Sequence, residues 1–155
     1  MVMTRIDPKE VQRLRSESGA GVMDCKRALE ETGGDYAKAL ALIKERGIQS
    51  VAKKSEREAK EGLVASYVHS GGRIGALVEL ASETDFVSRG DEFQKLAQEI
   101  AMQVAAMSPK DVDELLGQPY IRDGSKTIKD LVTTLAASVG ENVQVRRFQR
   151  FALGE

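Results

Sequence analysis

Few side chains in this sequence could carry out covalent chemistry. The 155 residues include one cysteine, Cys25, and one histidine, His69. A lone thiol excludes an intrachain disulfide and a multi-thiolate metal site, so we expect Cys25 to be a small buried hydrophobe. We expect His69 to lie at the surface, beside a turn. Glu83 and Asp85 could share acid–base work or hold Mg2+, but one such pair among 24 acidic residues is typical of solvated surface.

The nucleotide-binding templates are not met either. Gly19-Ala20-Gly21 begins like a dinucleotide-binding fingerprint, but Asp24 stands where the third glycine belongs, and no strand is predicted before it. No segment matches the Gly-x-x-x-x-Gly-Lys-Ser/Thr loop that cradles nucleotide phosphates. We therefore expect no catalytic residue, no metal site and no cofactor, and we interpret the chain as a protein that is not an enzyme.

Two stretches could instead contact a partner. The first is Thr84-Asp85-Phe86-Val87, which places an aromatic beside a carboxylate on a predicted connection. Loops on a rigid scaffold often carry function, and an exposed phenylalanine can anchor in a partner's pocket. The alternative is that Phe86 and Val87 fill the core beneath the following helix, with Thr84 or Asp85 capping a turn.

The second stretch lies between Leu14 and Leu29. There Val22 and Met23 follow a glycine-containing turn, Gly19-Ala20-Gly21. A methionine at such a position could form a soft contact surface. The alternative is that both side chains belong to the core of a helical bundle.

The elements around this second stretch are predicted to be three short helices. Asp7 as N-cap, Pro8 at the first helical position and Glu10 in the first turn predict a helix that ends near Gly19. Helical spacing predicts a second helix over residues 22–31, and Asp35 as N-cap predicts a third that ends near Gly47. Residues 1–52 should thus form a small bundle with a thin core.

The remaining chain is predicted to be a charged linker followed by an α+β domain. Residues 53–62 are charged almost throughout and have no apolar stripe, which is typical of a solvated helix or a linker, and we place a domain boundary there. Residues 63–155 are then predicted to follow the order β-β-α-α-α-β. The hairpin covers 63–81, the first helix covers 91–107, and a short helix starts at Pro109. A loop follows over 117–125, then a helix after a Thr127–Asp130 capping box, and finally a strand over 143–151. We expect helices to cover one face of a small antiparallel three-stranded sheet. Its other face is a candidate for pairing with a second copy.

The overall charge argues against a protein that binds mainly to phosphates. Lysine and arginine total 23 against 24 aspartates and glutamates, a net charge of −1, whereas nucleic-acid binding calls for a clear basic excess. Two basic clusters are the exceptions, Lys53, Lys54, Arg57 and Lys60 in one and Arg146, Arg147 and Arg150 in the other. No apolar run approaches the roughly 20 residues of a membrane span, and the start resembles no signal peptide. We expect a cytoplasmic protein without membrane or direct nucleic-acid contacts.

Three separated segments resemble the bacterial elongation factor Ts family, the guanine nucleotide exchange factors of elongation factor Tu. They appear in the family's order and together cover essentially the whole chain. The N-terminal match is LRSESGAGVMDCKRAL (residues 14–29), followed by Gly34-Asp35 and Ala52-Lys53-Lys54; the central one is ETDFV (83–87), and the last is GENVQVRR (140–147).

The resemblance implies a fold, a partner and site residues. Residues 1–52 would be a ubiquitin-associated-like domain, 53–62 a linker and 63–155 the core. The chain would bind elongation factor Tu, GDP-bound or nucleotide-free, and promote GDP release by disturbing its Mg2+ and phosphate site. The intruding segment would be Thr84, Asp85, Phe86 and Val87; the docking residues would be Leu14, Gly19, Gly21, Val22, Met23 and Asp24; Arg146 and Arg147 would belong to the core strand contact.

The length sets this chain apart from longer members of that family. Those carry two core subdomains and a helical hairpin insertion, whereas 155 residues leave room for one core. The resemblance is therefore to the short form, which implies a homodimer through the core sheet. Two other interpretations stay open at this point: a binding module that recruits a partner without altering it, and a nucleic-acid-binding protein.

Overall fold

The computed structural model describes residues 5–155, which divide into two units. The first unit ends at Lys53, and the second runs from Lys54 to Glu155. The division lies inside the charged stretch 53–62. Each unit has its own buried side chains.

The first unit is helical, as predicted. Its helices are α1 (Pro8–Ser18), α2 (Val22–Glu31) and α3 (Tyr36–Lys54). Asp7 caps α1, because its carboxylate accepts a hydrogen bond of 2.9 Å from the backbone N–H of Lys9, and Pro8 occupies the first turn. The predicted bounds of α2 are confirmed.

The third helix is longer than predicted. It continues through Gly47 to Lys54 instead of ending at the glycine. One glycine inside a helix costs only about 1 kcal/mol relative to alanine, and the following residues include alanine and lysine, which favour helices. The first two positions of the predicted linker are therefore helical.

The core of the first unit consists of few and mostly small side chains. It is a cluster around Leu14, Cys25 and Leu29, completed by two alanines, Ala28 and Ala39. The turn between α1 and α2 is held by Ser18, whose hydroxyl donates to the carbonyl of Leu14 at 2.6 Å. The same hydroxyl accepts from the backbone N–H of Ala20 at 3.2 Å.

The second unit contains the predicted three-stranded antiparallel sheet. The strand order is β1 (Glu61–Val68), β2 (Ile74–Ser82), β5 (Gln144–Ala152). Its other elements are α4 (Asp85–Ser88), α5 (Asp91–Met107), α6 (Val112–Gly117), β3 (Pro119–Tyr120), β4 (Asp123–Thr127) and α7 (Ile128–Val139). The α+β class is thus confirmed.

Helix α5 packs against one face of the sheet. Its fully buried side chains include Phe93, Ile100 and Val104, and on the same face of the strands Ala65 and Val78 face each other in register. The predicted bounds of this helix, 91–107, are confirmed. The predicted capping box of α7 is also present, formed by Thr127 and Asp130.

The stretch predicted as a loop over 117–125 contains a small hairpin instead, β3 with β4. The buried side chain of Gln103 on α5 holds it. This amide donates to the carbonyl of Pro119 at 3.1 Å and accepts from the backbone N–H of Ile121 at 3.0 Å. Helix α6 differs too: it begins at Val112, capped by Asp111, rather than at Pro109.

The other face of the sheet exposes apolar side chains. Successive strands contribute Val64 and Val68, then Leu77, then Phe151, which are 47–68% exposed. We call these four residues the open sheet face. In the described part of the chain, 5–155, no helix is long and apolar enough to cross a bilayer.

Candidate functional site

The segment Thr84–Val87 forms the N-terminal cap and first residues of the one-turn helix α4. Phe86 is 85% exposed, more than any other large hydrophobic side chain in the described residues. The interpretation of Phe86 as a core residue is therefore wrong. Val87 is only partly exposed and Ser88 is buried, so α4 rests on the unit by one side and presents Phe86 on the other.

Local hydrogen bonds fix the turn that carries Phe86. The hydroxyl of Thr84 accepts from the backbone N–H of Val87 at 3.4 Å, so this threonine caps α4. The hydroxyl of Ser82 donates to the carbonyl of Thr84 at 2.8 Å, and that of Ser88 donates to the carbonyl of Asp85 at 3.1 Å. The cap that the alternative interpretation assigned to Thr84 is therefore present, although its core position for Phe86 is wrong.

Asp85 places a carboxylate beside the exposed ring. Its Oδ2 lies 3.1 Å from Nη2 of Arg89, one turn later, and both side chains are largely exposed. An exposed pair of this kind contributes little stability, about 0–1 kcal/mol. A competing cation or a partner's donor could therefore draw Asp85 away from Arg89 at small cost.

A second segment, residues 141 and 142, lies against this turn. The carboxylate of Glu141 accepts from both the backbone N–H and the hydroxyl of Thr84, at 3.0 and 2.7 Å. In return, the backbone N–H of Asn142 donates to Glu83 at 2.7 Å. Both segments belong to the motifs that resemble the family, but the residue types alone indicate no role for Glu141. No local pattern indicated this contact, because the two segments are 57 residues apart.

The second candidate surface lies at the start of α2, in the first unit. Val22 and Met23 are 46% and 57% exposed, so neither is a core residue. Asp24 is exposed in the first helical turn, where a carboxylate interacts favourably with the helix dipole. Beside them is a shallow groove of about 380 Å3, lined by Ile6, Pro8, Val11, Gln12, Arg15, Val22 and Lys26.

Three other predicted docking residues support the backbone of this surface and place no large side chain on it. Leu14 is 0% exposed, so its assignment as a contact residue is corrected: it belongs to the core that supports α2. Gly19 ends α1 with a φ of +72°, a left-handed conformation that favours glycine. Gly21 is the N-cap residue of α2, and a Cβ added there would make only ordinary contact with Asp24.

The predicted strand residues Arg146 and Arg147 lie at an irregularity of the sheet. The β2–β5 register shifts between Glu79 and Leu80, and Arg146 is the extra residue on β5. Its guanidinium donates to the carbonyl of Ala59 at 2.7 Å. Arg147 is exposed, with its Nε 3.6 Å from Glu79. Arg146 is thus partly engaged within its own unit, while Arg147 remains accessible.

Neither Cys25 nor His69 lies in a cluster of metal-binding side chains among residues 5–155. Burial raises the pKa of the Cys25 thiol above its ordinary value of 9.0, with Ser18 acting in the opposite direction. His69 lies at the surface, its Nδ1 3.0 Å from the hydroxyl of Tyr67. Within residues 5–155, no cluster of three or more histidine, cysteine, aspartate or glutamate side chains could hold a metal ion.

Comparison with known proteins bears on these segments. The family model described as "Elongation factor TS" matches residues 83–155, which include both Phe86 and Glu141. Elongation factor Ts of Synechococcus elongatus is 43% identical over 199 aligned positions, covering 99% of this chain and 90% of that protein. The corresponding proteins of Anaeromyxobacter dehalogenans and Rippkaea orientalis are 42% and 41% identical, covering 99% of this chain and 90% and 80% of theirs.

The alignments also show a difference in length. Their 198 or 199 positions exceed the 155 residues of this chain, so the relatives carry residues inside the matched region that this chain lacks. The alignment nevertheless extends over both units, because it covers 99% of the chain. The chain belongs to the elongation factor Ts family of translation elongation factors.

Proposed function

We propose that this chain is a guanine nucleotide exchange factor that binds elongation factor Tu and promotes release of its GDP, so that GTP can bind again during protein synthesis. The observation that supports this most directly is Phe86, an aromatic side chain 85% exposed on a capped, one-turn helix. An exposed phenylalanine on a fixed turn suits insertion into a partner. The reaction makes and breaks no covalent bond in the protein, so it needs no catalytic group.

The action of such a factor is a coupling free energy. The factor binds the nucleotide-free partner more tightly than the GDP-bound one, and by reciprocity it weakens GDP binding by the same factor. Each tenfold change corresponds to about 1.4 kcal/mol of differential binding. Faster release requires in addition that the complex holding both factor and GDP has a lower barrier to losing GDP.

Asp85 and Phe86 are the residues that we propose to lower this barrier. Mg2+ and the amides at a helix N-terminus supply much of the stabilisation of a bound nucleotide phosphate. Phe86 would displace the structure that coordinates the Mg2+, and Asp85 would compete for nearby donors. Thr84 caps α4 by accepting from the backbone N–H of Val87, so these two residues would hold the turn.

The helical unit would supply the docking energy. We propose that it is a ubiquitin-associated-like domain whose exposed Val22, Met23 and Asp24 contact the GTPase domain of elongation factor Tu. The charged stretch 55–60, between the end of α3 and the start of β1, would join it to the core. There Arg147 and the neighbouring strand would contact the partner's other domains.

The open sheet face fits pairing with a second copy of the chain. Its four members are apolar and 47–68% exposed, and burying such side chains stabilises by about 25 cal/mol per Å2 of apolar surface. We propose a cytoplasmic homodimer in which the two sheets pack face to face.

Release of a fluorescent GDP analogue from purified elongation factor Tu tests the proposed function. We expect micromolar wild-type chain to accelerate release and Phe86→Ala to accelerate it much less. Ile48→Ala, which truncates an exposed side chain of α3 (59% exposed), should behave like wild type. Binding without acceleration would favour the recruiting module, and absence of both binding and acceleration would refute the assignment altogether.

A further inference from the structure

Glu141 accepts two hydrogen bonds from Thr84, the first residue of the turn that carries Phe86. Both oxygens of its carboxylate are used: Oε1 accepts from the backbone N–H of Thr84 and Oε2 from its hydroxyl. Hydrogen bonds to a charged acceptor are stronger than those between neutral groups. Two such bonds to one residue restrain both the position and the rotation of that residue.

Glu141 is itself held in place from the other side. It follows Gly140, which closes α7 with a φ of +72°. It precedes Asn142, which is 3% exposed and whose amide donates to the carbonyl of Arg57 at 2.7 Å. The carboxylate therefore extends from a backbone that is fixed on both sides.

The turn that carries Phe86 needs such an external support. Helix α4 has four residues, and a single helical turn is not stable by itself because nucleation is unfavourable. Its cap bond, from the N–H of Val87 to the hydroxyl of Thr84, is long at 3.4 Å. Thr84 can direct the first turn only if its own side chain is oriented, and Glu141 orients it.

We propose that Glu141 is a positioning residue for Phe86: by holding Thr84 it sets the direction in which the exposed ring points. This inference rests on the proposed function for its consequence, since a ring that is free to reorient pays more entropy on insertion into the partner. Loss of Glu141 would slow stimulated GDP release without removing any group that touches the nucleotide site.

The first test needs no partner. The chain contains no tryptophan, so Phe86→Trp introduces a single tryptophan at the exposed position, which can be excited selectively over the three tyrosines. We expect adding Glu141→Ala to give faster local rotation of this tryptophan in time-resolved anisotropy. Adding Glu56→Ala, which removes an exposed glutamate of the charged stretch, should leave the rotation unchanged. Equal rotation in all three proteins would overturn the inference, whatever the exchange assay shows.

The second test measures coupling between the two residues. We expect Glu141→Ala to lower the maximal rate of stimulated GDP release by about three- to tenfold, with little change in the concentration giving half-maximal stimulation. In a chain that already carries Phe86→Ala, the same substitution should have almost no further effect. An equal loss in both backgrounds would show that Glu141 acts independently of Phe86, and the inference would be wrong.

Two conservative substitutions show whether a loss of activity comes only from a loss of folding. Glu141→Gln keeps the shape and one acceptor oxygen, and Thr84→Ser keeps the hydroxyl. Both should retain the wild-type circular dichroism spectrum, and Thr84→Ser should retain most of the exchange activity, whereas Thr84→Val should lose it. If Thr84→Val exchanges as well as Thr84→Ser, the hydroxyl contact with Glu141 is not used. Failure of the wild-type chain to stimulate release would instead refute the proposed function and leave the anisotropy result standing.

Discussion

Two phenylalanines in the second unit offer a matched comparison of exposure and stability. Phe86 and Phe93 lie seven positions apart, yet Phe86 is 85% exposed and Phe93 is 1% exposed. Both can be replaced by alanine, so the chemical change is the same. We expect the free energy of unfolding of the second unit to respond very differently to the two substitutions.

The magnitudes follow from these exposures. Full burial of a phenylalanine side chain stabilises a protein by about 1.5–3 kcal/mol. Because only the remaining fraction of Phe86 is covered, Phe86→Ala should cost roughly 0.2–0.5 kcal/mol. Phe93→Ala removes a filled position between α5 and the sheet and leaves a cavity, for which about 3–5 kcal/mol is expected. That is a large part of the 5–15 kcal/mol typical of a whole domain.

Urea unfolding measures the free energy of unfolding of each variant, with the amide resonances of β2 reporting on the second unit. Phe86→Ala should leave the midpoint nearly unchanged while it weakens stimulated GDP release. Phe93→Ala should lower the midpoint strongly. A loss of more than about 1 kcal/mol in Phe86→Ala would mean that the ring packs within the unit, and the proposal that it inserts into a partner would have to be abandoned.

Three further predictions concern other parts of the chain. Because the raised pKa of buried Cys25 keeps its thiol protonated, Ellman's reagent at pH 8 should react slowly with the native protein and quickly in urea; rapid native reaction would contradict its burial. Leu77→Lys places a charge in the open sheet face and should convert a dimer to a monomer in sedimentation velocity, whereas Ile48→Lys should not. Gly62→Ala would put a Cβ 2.1 Å from the carbonyl oxygen of Leu80; we expect a loss of about 1–3 kcal/mol, and a wild-type urea midpoint would argue against this backbone geometry.

Much of the secondary structure could be predicted because its signals lie within a few residues. Asp7 and Pro8 start α1, and Thr127 with Asp130 forms the capping box of α7. Each of these caps satisfies N–H groups of its own first turn, so neighbouring residues in the sequence are sufficient to predict the interaction. The long helix over 91–107 and the β1–β2 hairpin were predictable for the same reason, from the periodicity of their apolar residues.

Some of the errors occur where a distant partner decides the outcome, and one has a local cause. The β3–β4 hairpin replaces a predicted loop because Gln103, on another element, satisfies its backbone groups. Helix α3 passes through Gly47 because a single glycine is too weak a signal to end a helix by itself. Leu14 was predicted to touch a partner, but the surrounding helices bury it completely.

In the candidate site, too, some features follow from the local sequence and others depend on distant contacts. The sequence alone identified Thr84-Asp85-Phe86-Val87 and the family that it resembles, because residue types and their order are sufficient for both. It left open whether Phe86 faces solvent or the core, since either position agrees with the spacing. Only the tertiary structure decided that the ring is exposed and that Glu141 holds its turn. Exposure and support depend on which segments folding brings together, and Thr84 and Glu141 are 57 residues apart along the chain.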